Sequence, residues 1–219
     1  MSVTAIVPVK AWQLAKSRLT VSCEHRIELA RAFALDALDV LRGTPSIASI
    51  VLVTAEPELL SPPAGRRGIT VLEEAPLPSS DPLNDAVRLG RGWAEVNRAA
   101  DGLLVVPSDL PAMTSQALES AVDRLAEFDR AFVPDLVGEG TTLLFARRPG
   151  TMRPQYGRRS AFLHRADHYA AVTAVDLAVR RDVDTLRDLA EARRLGVGAH
   201  TGSALGPLPR TGHRRPAFV

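Results

Sequence analysis

Short apolar runs separated by segments of helical spacing leave this chain few options other than a layered α/β sheet. Val3–Val9, Ile50–Thr54, Ile69–Leu72 and Leu103–Val106 read as strands, and an unbroken apolar run such as Leu103–Val106 belongs in a sheet covered on both faces. Within Glu24–Arg42, Ile27, Ala30, Phe33, Ala34, Ala37, Leu38 and Leu41 recur at helical spacing, and Gly43 and Pro45 stop the helix. A helix over Leu83–Arg98 follows "SSDP", another covers Ser115–Glu127, and "AFVPD" and "TTLLFAR" supply two more strands. A short helix over Ser160–His168 precedes a strand around "YAAVTAVDL", and "DVDTLRDLAEARRLG" forms a closing helix ended by Gly196. This alternation predicts one sheet with helices on both faces. The 219 residues suit a single domain over 1–200, and 201–219, with Gly202 onward, reads as a flexible tail.

Charge and composition exclude several function classes. The 27 Lys and Arg are nearly balanced by 25 acids, and the arginines are spread along the chain with a small excess only in "PRTGHRRPAFV", so no nucleic-acid partner is expected. No apolar stretch approaches the roughly 18 to 20 residues that span a bilayer. The N-terminus has no basic segment followed by a long apolar one, and Cys23 is the single cysteine. These features place the expected location in the cytoplasm, with no membrane partner and no internal disulfide. Cys23 lies beside His25 without any sequence frame for a nucleophile, and reads as inert.

Polar residues cluster where the strands end, which is where open α/β sheets bind ligands. "PVKAWQLAKSRL" holds Lys10 and Lys16, the only lysines in the chain, together with Arg18, in the loop leaving the first strand. Backbone amides and cations in such a loop can converge on phosphate oxygens. A cation about 4 Å from a phosphate charge contributes about 4 kcal/mol at an effective dielectric near 20, before desolvation. The pattern is not a Walker loop, since "GxxxxGK[ST]" is absent.

Asp109 in "PSDLP" stands at the end of a buried strand, a place suited to holding Mg²⁺, which prefers carboxylates, water and phosphate oxygens. In "RDVD" we assign the second metal role to Asp182 and the cap of the following helix to Asp184. Asn84 and Asp85 in "DPLNDAV" either cap the helix or read a base edge, one of them serving as the cap. "GEGTT" and "YGRRS" bring Gly140, Thr141, Gly157 and Ser160 into loops, where glycine admits a ligand to the backbone and hydroxyls donate to phosphate or carboxylate. His164 reads as packed or solvated rather than catalytic.

"PVKAWQLAKSRL", "DPLNDAV", "PSDLPAM", "GEGTTLLFA", "YGRRSAFLH" and "RRDVDTLRDLAEARRLGVG" occur in the order of the motifs of the phospholactate/phosphoenolpyruvate guanylyltransferases, and the chain resembles that family from Ala5 to Gly198. The resemblance implies a single-domain α/β, Rossmann-like nucleotidyltransferase fold, with a mostly parallel central sheet and helices on both faces. It implies transfer of the GMP moiety of GTP to a phosphorylated three-carbon acid, with pyrophosphate released, in the making of the deazaflavin coenzyme F-420. Phosphoenolpyruvate is favoured as the acid over 2-phospho-L-lactate. By the same resemblance Lys10, Lys16 and Arg18 match the triphosphate loop, Asp109 and Asp182 the Mg²⁺ ligands, and Thr141, Gly157 and Ser160 the acceptor-binding positions. It leaves room for a homodimer and for a downstream deazaflavin transferase that receives the product.

Two departures stand out: Ser108 precedes Asp109 where the family usually carries glycine, and the acceptor loop reads Gly-Arg-Arg-Ser. Arg158 and Arg159 raise 3-phosphoglycerate as a rival acceptor. A rival enzyme class is a different nucleotidyltransferase, such as one acting on molybdopterin, but the "LAGGxSxRxG" loop of such enzymes is absent. A rival outside catalysis is a nucleotide-binding regulatory module without turnover, against which the retention of both Asp109 and Asp182 argues.

Overall fold

The structure is a computed structural model that describes residues 1–16, 19–60, 68–74 and 80–206. The chain runs β1 (Val3–Val9), α1 (Cys23–Arg42), β2 (Ile47–Thr54), α2 (Pro57–Leu60), β3 (Ile69–Glu73), α3 (Pro82–Asn97) and β4 (Gly102–Val105). It continues through α4 (Ser115–Leu125), β5 (Arg130–Pro134), β6 (Thr141–Ala146), α5 (Ser160–Ala166), β7 (Ala170–Ala171), α6 (Leu186–Leu195) and α7 (Ala199–Leu205). The strands form one sheet in the order β3-β2-β1-β4-β6-β5-β7. β1 lies in its interior, parallel to β2 and β4 with Ile6 opposite Val51 and Val105, and β3 is parallel to β2. β6 runs antiparallel to both β4 and β5, and β7 is parallel to β5. The mostly parallel sheet expected from the alternation is therefore present, with one reversed strand.

The pleat sends alternate β1 residues into different cores. Val3, Ala5, Val7 and Val9 pack with Ala34, Leu38 and Leu41 of α1 and Leu118, Val122 and Leu125 of α4. Ile6 packs on the opposite face with Ala86, Val87 and Ala94 of α3. Helices thus cover both faces. A third cluster joins Leu29 and Phe33 of α1 to Val183 and to Leu189 and Ala192 of α6, with Ala112 from the loop after β4. That cluster carries the segment around Asp182 to the end of β4. No helix among the described residues is long and apolar enough to cross a membrane.

Three boundaries differ from the sequence expectation. The helix beginning at Ser160 stops at Ala166 rather than His168, because His168 takes a left-handed conformation with φ 62° and turns the chain into β7. The strand expected across "YAAVTAVDL" is two residues long, extended by the Val172 N–H donating to the Phe132 carbonyl at 2.9 Å. Asp176 then caps a 3-10 turn by accepting from the Ala178 amide, an option that a side chain offers in competition with the ladder. Finally, the boundary drawn at residue 200 falls inside α7; residues 207–219 lie outside the described residues.

α7 is held by a carboxylate far away in sequence. Asp36 is buried on α1, and its two oxygens accept from the His200 and Thr201 amides at 2.9 Å each, taking up donors that a helix start leaves without partners. Asp36→Ala is expected to cost roughly 2 kcal/mol and to lower the melting temperature by about 4–8 °C. A thermal melt indistinguishable from wild type would show that these two bonds add nothing net.

Candidate active site

The loop leaving β1 is tied down on the side of β2. Thr54 Oγ1 donates to the Val9 carbonyl at 2.8 Å, and the Trp12 amide donates to Glu56 Oε2 at 2.9 Å, with the Trp12 ring buried behind it. Lys16 closes the loop in a left-handed conformation, φ 51°, which is unfavourable for a residue carrying a side chain. Its ammonium lies 2.8 Å from Asp109 Oδ2 and 3.4 Å from Asp184 Oδ1, with only 11% of the side chain exposed. Burial opposes the charge, yet Asp109 and Asp184 outweigh it and hold the Lys16 pKa above the usual lysine value. Lys10 is exposed at the other end of the same loop. Both lysines line a cavity of about 340 Å³ with Phe33, Ser108, Asp109 and Asp184. Arg18 lies outside the described residues.

Asp109 and Asp182 come together from segments 73 positions apart in the sequence numbering. The Val183 amide donates to the Asp109 carbonyl at 3.0 Å, which stitches the two loops together. Burial, then the charges of Asp109, Asp184 and Asp135, push the Asp182 carboxyl up to about 7. Asp184 is not the cap of α6, contrary to the sequence assignment. Thr185 is, accepting from the Asp188 amide, while the Asp188 carboxylate accepts from the Thr185 amide at 2.9 Å. With that role filled, Asp184 turns to the Lys16 ammonium.

Because β6 runs against its neighbours, its first residue rather than its last reaches the rim where β1, β4 and β5 end, and this brings Thr141 there. The turn between β5 and β6 is organised by Asp135, whose carboxylate accepts from the Gly138, Glu139 and Gly140 amides at 2.5, 3.0 and 2.8 Å. A Cβ on Gly140 would lie 2.5 Å from Asp135 Oδ2, so a larger residue there would push the carboxylate from its place. Gly157, at φ 125°, occupies a conformation that other residues rarely adopt, and it leads into Ser160, which is buried at the start of α5. Thr141, Gly157 and Ser160 share this side of the rim but do not line the 340 Å³ cavity.

Asn84 is buried and committed to the same loop. Its Nδ2 donates to Asp81 Oδ1 at 2.7 Å and to the Tyr156 carbonyl at 3.0 Å, and its Oδ1 accepts from the Tyr156 amide at 2.8 Å. Asp81 holds the N-cap position of α3 without a side-chain capping hydrogen bond, and both Asn84 donors are spent, so Asn84 neither caps α3 nor has a donor left for a base edge. Its role is to hold Tyr156. Arg158 and Arg159 are exposed, and the Arg159 guanidinium sits 4.9 Å over the Phe162 ring. His164 is packed, as expected, with Nδ1 at 2.9 Å from Thr141 Oγ1.

Two residues at this rim carry no role in the sequence reading. Asp135 has a signal, since it follows Pro134 at a strand end just as Asp109 follows an apolar run, but the apolar "AFVP" draws it into the strand. Tyr156 has none: its hydroxyl is buried without a hydrogen-bond partner among the described residues, and burial, then the neighbouring Tyr169 and Asp109, pushes its pKa well above the usual tyrosine value.

Residues 3–206 match the model of the family described as guanylyl transferase CofC like. A phosphoenolpyruvate guanylyltransferase from Salinispora arenicola is 34% identical over 215 residues, covering 96% of this chain and 97% of that protein. One from Mycolicibacterium paratuberculosis is 35% identical over 210 residues, covering 93% of this chain and 92% of its own length. Among solved structures, 4-diphosphocytidyl-2C-methyl-D-erythritol synthase matches with a TM-score of 0.55 at 12% identity, over 89% of this chain and 97% of that one. Rv0371c from Mycobacterium tuberculosis H37Rv matches with a TM-score of 0.55 at 18% identity, over 89% and 97%; that protein has also been solved in complex with manganese. These likenesses agree with the fold.

Proposed function

Because the chain belongs to the guanylyl transferase CofC-like family and is a nucleotidyltransferase, we propose that it joins the GMP moiety of GTP to phosphoenolpyruvate, releasing pyrophosphate, in cytoplasmic biosynthesis of coenzyme F-420. The product then passes to a transferase acting on the deazaflavin. The observation that carries this reading is the convergence of Lys16, Asp109 and Asp184, with Asp182 beside them, at the end of β4. A cation amid clustered carboxylates suits two polyanions that must meet with a metal between them.

The residues fit a divalent cation. Burial and three neighbouring carboxylates, Asp109 among them, leave Asp182 with its charge poorly compensated. Among the described residues no three His, Cys, Asp or Glu side chains form a ready ligand set; Mg²⁺ is usually held by one or two carboxylates, with waters and substrate phosphates completing the shell. Asp109 and Asp182 would hold it, and it would supply charge neutralisation on the triphosphate. Lys10 and Lys16 would add point charges able to follow the phosphates.

In the reaction a phosphate oxygen of the acid attacks the α-phosphorus of GTP. A new P–O bond forms, the bond to the β-phosphate oxygen breaks, and pyrophosphate leaves. A phosphate monoester has its second pKa near 6, so the nucleophile is already ionised at neutral pH and needs no base. The chain's share is alignment and charge cancellation.

The test is to incubate the protein with GTP, Mg²⁺ and, separately, phosphoenolpyruvate, 2-phospho-L-lactate and 3-phosphoglycerate, measuring pyrophosphate and product mass. The expected result is fastest release with phosphoenolpyruvate and a product carrying its mass plus GMP. Faster turnover of 3-phosphoglycerate would reassign the acceptor, and no release with any acid would overturn the reading.

A further inference from the structure

We propose that His164 is a positioning residue that locks the Thr141 hydroxyl as a hydrogen-bond donor facing the acceptor, the ionised phosphorylated acid of the reading above, on which this inference rests. His164 lies on α5, fully buried, with the rings of Phe132, Tyr156 and Tyr169 at 5.6, 5.7 and 5.4 Å. Its Nε2 is 3.1 Å from the Gln155 amide nitrogen. A backbone N–H can only donate, so Nε2 must present its lone pair. In a neutral imidazole the proton then sits on Nδ1, which is 2.9 Å from Thr141 Oγ1. Nδ1 therefore donates, Thr141 Oγ1 accepts, and the hydroxyl's own hydrogen is turned away from the ring.

An imidazolium would set an N–H against the Gln155 N–H, so the ring must stay neutral for the relay to work. Burial favours this, lowering the His164 pKa to about 4 against the opposing pull of Asp167. Were the proton on Nε2 instead, Nδ1 would accept the Thr141 hydrogen and leave only the hydroxyl's lone pairs for an anion. With it on Nδ1, the hydroxyl's hydrogen is left for a partner other than the ring, and Thr141 is half-exposed, so a phosphate or carboxylate oxygen can take it. The same ring holds the Gln155 amide, while Asn84 holds Tyr156 next to it. One imidazole thus ties the start of β6 to the loop that carries Gly157.

Two amide substitutions separate the two hydrogen bonds. In His164→Asn the Nδ2 atom takes the place of Nδ1 and keeps the donor to Thr141. In His164→Gln the side-chain terminus reaches the Nε2 position and keeps the Gln155 partner, but leaves Thr141 without its donor. The expected result is an acceptor KM within about threefold of wild type for His164→Asn and raised about tenfold or more for His164→Gln. The GTP KM should be unchanged in both. Thr141→Val should raise the acceptor KM similarly, and the Thr141→Val/His164→Gln double variant should be no worse than Thr141→Val alone, since both remove one interaction.

An unchanged acceptor KM in His164→Gln, a parallel rise in the GTP KM, or effects that multiply in the double variant would overturn the inference. Nitrogen-15 NMR of the wild-type imidazole tests the relay without turnover: protonated Nδ1 and unprotonated Nε2 are expected, and protonated Nε2 overturns it. A wild-type protein inactive on every phospho-acid would overturn the guanylyltransferase reading and, with it, the role of Thr141 at an acceptor, whatever the tautomer.

Discussion

Asp182→Asn is expected to cut turnover severely and, in the metal-free protein, to raise the melting temperature. Asp182 has a folded-state pKa of about 7 against an ordinary value of 3.8, with burial as the largest cause. An acid whose folded pKa is raised loses stability as pH climbs from the unfolded value through the folded one, because the folded state must give up a proton it holds favourably. Above about pH 7 the whole penalty is present, and below about pH 4 it is gone. The amide removes it. Allowing for residual solvent, the gain at pH 8 is on the order of 1–3 kcal/mol, or roughly 3–8 °C. It should shrink steadily as the melts are repeated down to about pH 4. Turnover should fall by about 100-fold or more. A variant that melts lower than wild type at pH 8 would mean that the Asp182 charge is already compensated in the folded protein.

Lys16→Met should damage catalysis just as severely while strengthening metal binding. In the folded chain the Lys16 ammonium already sits 2.8 Å from one Asp109 oxygen and 3.4 Å from Asp184. A divalent cation coming to Asp109 must therefore displace a buried, hydrogen-bonded ammonium. Removing that competitor should tighten manganese binding about tenfold, or about 1.4 kcal/mol, measured by electron paramagnetic resonance titration without nucleotide. Turnover should nonetheless drop about 100-fold, since on the proposed reading the triphosphate would lose a cation that neutralises it. Unchanged or weaker manganese affinity would show that Lys16 and the metal do not share a place. A displaced ammonium is also free to move to the incoming phosphates, so one event would prepare both halves of the charge balance.

How much of the site is legible in the sequence depends on the distance over which a residue acts. Lys16 and Asp109 are legible because each follows an apolar run closely, and chain direction alone brings such residues to one rim. Asp184 is misread as a cap because its partner is Lys16, 168 positions away. The true cap has a local signature, Thr185 followed three residues later by the acidic Asp188, which satisfy one another. Asn84 is ambiguous for the same reason as Asp184, since its partner Tyr156 lies 72 positions on. α7 resembles loose tail because its own seven residues carry no strong apolar period; what orders it is the buried Asp36 carboxylate on α1, 164 positions before His200. Long-range hydrogen bonds leave no periodic trace, and that is where sequence reading stops.

The reversed course of β6 divides the labour of the rim. The lysines and the carboxylates of Asp109 and Asp182 hang from forward-running strands and from the segment before α6, whereas Thr141 enters through a six-residue connection, residues 135–140, organised by Asp135. A change in the length of that turn would re-aim the threonine while leaving Asp109, Lys16 and their partners untouched. On the proposed assignment of Thr141 to the acceptor and of Lys16 and Asp109 to the triphosphate, selectivity for the small acid would shift with this turn while the grip on the nucleotide stayed as it is, and altering the turn's length is the economical way to move it.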